Sequence, residues 1–289
     1  MFLTPRRIVC LFAMILVLFP PRAQAAVLGW WSFDGIVSNI VDISNNDHHG
    51  VIRNVPAQLD DGNQGFSFDV PGTQMTATAF GTWHNPYALH LNGTNGYVEI
   101  TNNIPTLSLT NDPSSFTLEM FVKLDAVLTN GERLVNTSEA NHPGQPAAID
   151  TWFTGFGTPP RPAIGVTDNQ AVSGNPQFAR DRNPAVISGG KWHHLAFVKD
   201  GSNLVQYVDY QVNGSNTWEG MAHTLTNLGR FIIGSTIMAP YNCFDGSIDE
   251  VRFSDVALAP ADFIRAVGGL PPILRNISSS EGSINALFS

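Results

Sequence analysis

The chain has 289 residues, 43% of them hydrophobic and only 13% charged, with 26 glycines, 19 prolines and a formal charge of −9. Few charges and many turn formers argue against a helical bundle and suit strands joined by turns. The acidic balance excludes nucleic acid as a natural partner, because binding it requires a basic surface.

The first 25 residues read as a signal peptide. Arg6 and Arg7 precede an apolar run from Ile8 to Phe19, and Ala23-Gln24-Ala25 supplies the small-x-small cleavage pattern. The expected cut lies between Ala25 and Ala26, giving a secreted, extracellular protein. No other run is long and apolar enough for a membrane span. Cleavage removes Arg6, Arg7 and Arg22 and no acid, leaving 12 basic and 24 acidic residues and a formal charge of −12. Cys10 leaves too, so Cys243 has no internal disulfide partner and the core alone must hold the fold.

Period-two alternation follows along the chain. Tyr97 to Ile100 is a short strand entered from the turn Asn92 to Gly96. In Ser115 to Asp125, Phe116, Leu118, Met120, Val122 and Leu124 share one face, which predicts a long strand with one buried side. Lys191 to Lys199 and Asn203 to Val212 form a hairpin around the turn dipeptide Asp200-Gly201. Arg230 to Gly234 and Phe244 to Phe253 are two further strands. Ala259 to Val267 is expected to be a short helix, with Pro260 near its start and Gly268-Gly269 as its stop. The stretches 60–86 and 139–190 read as long irregular loops, the second with strand-like pieces at Ile149 to Phe153 and Ala163 to Val166. Residues 268–289, with Pro271-Pro272 and a Ser-rich run, read as a linker-like tail. The pattern is one all-β domain over 26–267, a two-sheet antiparallel sandwich or jelly roll.

Five segments in order carry a resemblance. They are Trp30 to Asp34 with Asp42 to Gly50; Ala88 to Gly93 leading to Tyr97 to Ile100; Phe116 to Lys123; Lys191 to Val198 with Gln206 to Asp209; and Phe244 to Phe253. Together they resemble the laminin-G-like jelly-roll family of the concanavalin A-like lectin/glucanase superfamily. Two positions depart from the pattern: Gly35, where many relatives have an acid, and Tyr210, where a turn glycine often follows Val-Asp. The resemblance implies a calcium ion (Ca2+) tying the first part of the fold to the last.

Asp34, Asp42 and Asp249 are the candidate metal ligands. Calcium takes six to eight oxygens from carboxylates, carbonyls and water. Asp34 and Asp42 flank a short loop, and Asp249 is expected on the same face of the last strand as the apolar Val251 and Phe253. The alternative is that these acids cap turns and accept backbone hydrogen bonds. His48-His49 and His193-His194 are not zinc sites, since neighbours on a strand point to opposite faces. Trp83, Trp152 and Trp218 are expected to pack under their own loops, with sugar stacking as the alternative.

A jelly-roll glycosidase needs two carboxyl groups facing each other across the sugar bond, as in a Glu-x-Asp-x-x-Glu strand. Here Asp249 and Glu250 are adjacent and should face opposite ways. No catalytic residue is assigned. The expected function is a non-catalytic binding or adhesion module for a glycan or extracellular protein. A purely structural spacer and a divergent glycoside hydrolase are the alternatives.

Overall fold

The computed structural model describes residues 26–59, 64–110, 114–125, 131–138, 149–154, 160–166, 187–217, 225, 230–236, 240 and 242–267. The expected signal peptide (1–25) and tail (268–289), Trp218 and most of the stretch 139–190 lie outside the described residues. In chain order the first strands are β1 (Val27–Trp31), β2 (Asn39–Ile40), β3 (Gly50–Arg53), β4 (Gly65–Ser67), β5 (Gln74–Ala77) and β6 (Gly81–His84). Next come β7 (Ala88–Asn92), β8 (Tyr97–Ile100), β9 (Ser115–Leu124), β10 (Arg133–Ser138), β11 (Ile149–Thr154) and β12 (Arg161–Val166). The last are β13 (Trp192–Asp200), β14 (Asn203–Val208), β15 (Gln211–Thr217), β16 (Arg230–Ile233), β17 (Asp245–Ser254) and β18 (Arg265–Val267).

An eight-stranded sheet runs β15-β14-β13-β9-β17-β7-β4, with β1 also on β17, and packs on a seven-stranded sheet ordered β12-β11-β10-β16-β8-β3-β2. This is the expected antiparallel sandwich. Phe116, Leu118, Met120, Val122 and Leu124 are fully buried in the main core with Val98, Phe231 and Ile233 of the other sheet. Burying such side chains supplies about 1.5–3 kcal/mol each. The Asp200-Gly201 hairpin forms with β13 paired on β14, but its second strand ends at Val208 instead of reaching Val212, which belongs to β15. The next turn, Asp209-Tyr210, has φ 49° and 69°. Tyr210 takes the left-handed conformation that glycine adopts freely. Its ring stacks on His194 at 4.5 Å and lies 4.3 Å from the Arg265 guanidinium.

Three expectations need correction. The stretch 60–86 is not simply irregular: it contains β4, β5 and β6, and β5 and β6 join β18 in a third, three-stranded sheet. Ala259 to Val267 is not a helix. It holds a single 3-10 turn at Pro260–Asp262 followed by β18, which pairs with β5. Adjacent Phe263 and Ile264 enter different apolar clusters, one with Ala196 and Val198 and one with Trp30 and Phe121. This packing and the β5 pairing outweigh the local helix signals. Finally, β9 is buried on both faces: Thr117, Glu119 and Phe121 are as covered as the core-facing set. The third sheet and the chain leading into it lie over the outer face of the eight-stranded sheet, and they make the difference.

Candidate functional site

The outer face of β17 carries the acids. Opposite β9 the register jumps between Asp249 and Arg252, and Glu250 has φ 51°. This is a β-bulge, in which one extra residue occupies a strand and resets its alternation. Asp249 opposes Phe121 and Arg252 opposes Glu119, so both face outward, while Val251 and Phe253 return to the core. The expectation that Asp249 shares a face with Val251 and Phe253 is therefore corrected. So is the expectation that Asp249 and Glu250 diverge: the bulge brings both carboxylates under the third sheet.

Glu250 is fully buried and held by two indoles, Trp30 Nε1 donating to Oε2 and Trp83 Nε1 to Oε1, each at 2.6 Å. Asp249 accepts from Asn85 Nδ2 at 2.8 Å and from the Glu250 amide at 2.9 Å. Asp34, three residues beyond the end of β1, stands close enough that its charge acts on both. Burial pushes Asp34 up to about 6 and Glu250 up to about 8. Burial, then the charges of Glu250 and Asp34, push Asp249 well above the usual carboxylate range. Asp34 Oδ1 and Asn85 Oδ1 are buried acceptors with no hydrogen-bond donor.

Asp42 is not part of this group. Its Oδ1 accepts from the Trp30 and Ser44 amides, both at 2.9 Å, and its Oδ2 from Ser44 Oγ at 2.8 Å and the His48 amide at 3.0 Å. Burial raises its carboxyl, but the hydrogen bonds from His48, Ser44 and Trp30 outweigh that and hold it far below the usual range. This is the capping role. The structure brings Asp34 and Asp249 together, adds Glu250 and Asn85, and leaves Asp42 locking the loop beside β1.

These residues fit a hard cation in part. Two orphaned oxygens beside unneutralised carboxylates are the donor set such an ion takes. Glu250 does not fit, because both its oxygens are occupied by indoles. Among the described residues no three His, Cys, Asp or Glu side chains converge as a finished ligand set. Any cation would therefore rest on Asp34, Asp249 and the Asn85 carbonyl.

A second buried acid lies under the same cover. Glu119 accepts from Arg252 Nε at 2.7 Å and again from Nη2, from the Ile264 amide at 2.9 Å, and meets His194 Nε2 at 3.0 Å. Burial raises its carboxyl, but Arg252, His194 and the Ile264 amide more than compensate and lower it. His193 and His194 lie on β13, whereas His48 and His49 lie in the loop before β3, so the strand argument covers only the first pair; in each pair the two rings take separate partners. His193 meets Asp209 while His194 meets Glu119, and His48 meets Thr106 while His49 accepts from the Asp42 amide. Trp152 is buried under the Arg133 guanidinium, 5.1 Å from its ring centre.

Sequence reasoning missed Asn85 and expected Trp83 only to pack under its own loop, because both sit in the stretch read as loop; Trp83 instead packs edge-on against Trp30 and donates to Glu250. It missed Glu250 as a partner of Asp249 because no residue pattern announces a bulge at a glutamate.

Among the described residues no helix is long and apolar enough to cross a membrane. No curated protein matches the chain. Among solved structures it is similar to domain 4 of AbnA, an extracellular arabinanase from Geobacillus stearothermophilus, in complex with arabinotriose. That match has TM-score 0.52 and 20% identity over 82% of this chain and 96% of that one. It is similar to Trypanosoma rangeli sialidase at TM-score 0.52 and 14% identity, spanning 32% of that chain. It is also similar to the binding domain of Paraclostridial Mosquitocidal Protein 1 at TM-score 0.54 and 13% identity, spanning 50% of that chain. At such identities the likeness is one of fold. The profile of the concanavalin A-like lectin/glucanases superfamily matches residues 92–262. With its two packed antiparallel sheets, the chain belongs to the concanavalin A-like lectin/glucanase superfamily.

Proposed function

We propose that the protein is an exported, non-catalytic binding module for a glycan or extracellular partner, stabilised by a structural cation. One observation carries the non-catalytic reading. The acids on the outer face of the eight-stranded sheet, Glu119, Asp249 and Glu250, are fully buried beneath a third layer. Glycoside hydrolysis needs two carboxyl groups open to a sugar, one of them able to exchange a proton with it. Here each carboxylate is closed off and engaged by neighbouring protein groups. The solved relative bound to arabinotriose favours carbohydrate as the partner class. The charge of −12 after cleavage favours cations over nucleic acid.

A cation held by Asp34, Asp249 and the Asn85 carbonyl would offset the repulsion between buried carboxylates and tie β1 to β17. The protein groups meanwhile fix the cluster: Trp30 and Trp83 keep Glu250 in place, and Asn85 orients Asp249. The test is a glycan array with the mature protein, run beside a polysaccharide hydrolysis assay. Binding without release of reducing sugar is the expected result. Hydrolysis that survives purification and disappears on Glu250→Gln would replace this reading with an enzyme.

A further inference from the structure

The rim of the sandwich beside the start of β13 carries a serine, a histidine and an aspartate in series. Ser188 Oγ lies 3.2 Å from His193 Nε2, and His193 Nδ1 lies 2.8 Å from Asp209 Oδ2. We propose that Ser188 is a reactive serine, with His193 as its general base and Asp209 as the positioning residue, and that it takes an acyl group from an activated ester. These three residues play no part in the glycan or cation reading.

The backbone sets each member in place. His193 shares a side of β13 with Leu195 and Phe197, which are buried between the sheets, and its own side chain is 13% exposed where that row runs out. Asp209 follows the end of β14, and two bonds tie it to β13. Its amide donates to the His194 carbonyl at 2.8 Å, and its Oδ1 accepts from the His194 amide at 3.0 Å. Oδ2 is thereby turned to the imidazole. Burial raises the Asp209 carboxyl, but the bonds from His193 and the His194 amide outweigh that and hold it below the usual range, so it is ionised at neutral pH. Ser188 lies between two anchors. The amide of the buried Ile187 donates to the Pro160 carbonyl at 3.1 Å, and the Gly190 amide donates to the Leu124 carbonyl at 2.7 Å. Gly190 has φ 73°, and a side chain built on it would meet nothing within 4 Å. The exposed Ser188 hydroxyl therefore has open space on this side for an incoming ester.

The order of the contacts gives each group its role. An ionised carboxylate only accepts, so Nδ1 carries the imidazole proton and Nε2 is the bare nitrogen. Ser188 Oγ then donates to Nε2, which is the arrangement of a hydroxyl nucleophile and its general base. In the step, Oγ bonds to the ester carbonyl carbon and the bond from that carbon to the leaving oxygen breaks. Nε2 takes the hydroxyl proton and passes it to the departing oxygen, so the products are an O-acylserine and an alcohol or phenol. Asp209 touches no reacting atom; it sets the tautomer and offsets the positive charge that the imidazole acquires. Hydrolytic turnover would in addition need donors for the oxyanion. An ester with a good leaving group depends on them far less. The step is a single acylation, so it stands beside the non-catalytic reading.

The experiment treats the mature protein with p-nitrophenyl acetate, follows p-nitrophenol release by absorbance and locates the acetyl group by peptide mapping. The expected result is a burst of release with the acetyl group on Ser188, ahead of other exposed serines such as Ser38. Ser188→Ala should remove the burst. His193→Ala should slow it about 100-fold, the lower end of what a general base contributes. Asp209→Asn should slow it too, and thermal melts should show all three variants folded. Bonds that merely fastened the segment before β13 would give the same distances without any preference for Ser188. Absence of a burst, acetylation of Ser188 no faster than Ser38, or a Ser188 rate unchanged in His193→Ala overturns the proposal.

Discussion

Two carboxylate centres lie under the same cover, a few residues apart on β9 and β17, and they are solved in opposite ways. Glu119 has a guanidinium, an imidazole and a backbone amide, and its carboxyl is held low. Asp249 and Glu250 have an amide side chain and two indoles, and their carboxyls are pushed up. Burial is equal, so burial does not decide the state of an acid. What decides it is whether a cation is buried alongside. The first centre is a finished ion pair. The second has no cation in contact with its carboxylates: Arg252 acts on Glu250 only through space and does not offset burial, and the proposed ion would supply the missing charge.

That contrast can be broken most forcefully at Glu119. Glu119→Gln leaves Arg252 buried without its counter-charge, which costs about 3–5 kcal/mol. Urea unfolding at neutral pH measures it, and an unchanged midpoint would show that Arg252 has another partner. Because the folded carboxyl is lowered, its contribution is present above the unfolded value, about 4.3, and lost as pH falls through the folded one. The variant should therefore show a flatter acid limb.

The second centre should respond in the reverse sense. Calcium a hundredfold above its Kd should stabilise the mature protein by about 2.7 kcal/mol, and a chelator should remove the gain. Magnesium should do much less, since it holds its water more tightly. Asp249→Asn should abolish the calcium response and, with chelator present, melt no lower than the native protein, because it removes a repulsion. Identical native melts with and without chelator, and no metal on elemental analysis, would remove the ion from the account.

Asp42 sharpens the distinction, with a smaller effect. Asp42→Ala strips four hydrogen bonds from the loop beside β1 and should cost about 1–3 kcal/mol. The Asp42 carboxyl is lowered in the fold, so its contribution exists above about 3.9 and fades as pH drops through the folded value. The calcium response should survive in Asp42→Asn. Its loss there would return Asp42 to the ligand set.

The smallest effect concerns the chain start. The Ala26 nitrogen lies 3.0 Å from Asp255 Oδ1. After cleavage that nitrogen is an ammonium, so N-terminal sequencing should begin at Ala26. Asp255→Asn should change the stability of the processed protein by less than about 1 kcal/mol. Exported protein starting at Met1 would refute the cleavage site.

Much of the sandwich was legible in the residues. Phe116 to Leu124 announces a strand because every second side chain is apolar, and Asp200-Gly201 announces a hairpin because that dipeptide tolerates the turn. The cover was not legible. Gln74 to His84 lacks a clean alternation, since β6 exposes most of its residues while Trp83 reaches inward. Arg265 to Val267 follows a proline and precedes two glycines, which reads as a helix end until a partner strand is present.

By itself the sequence determined the main strands of the sandwich, the side of β9 that faces between the sheets, and the resemblance to the family. Alternation and turn chemistry are local properties, written within a few residues of one another. Only the tertiary structure decided that a third sheet closes the outer face, that a bulge at Glu250 turns Asp249 outward, and that Asp34 joins them while Asp42 does not. Each of these depends on a neighbouring strand distant in the chain. A period of two says which way a side chain points, and nothing in it says what will be waiting there.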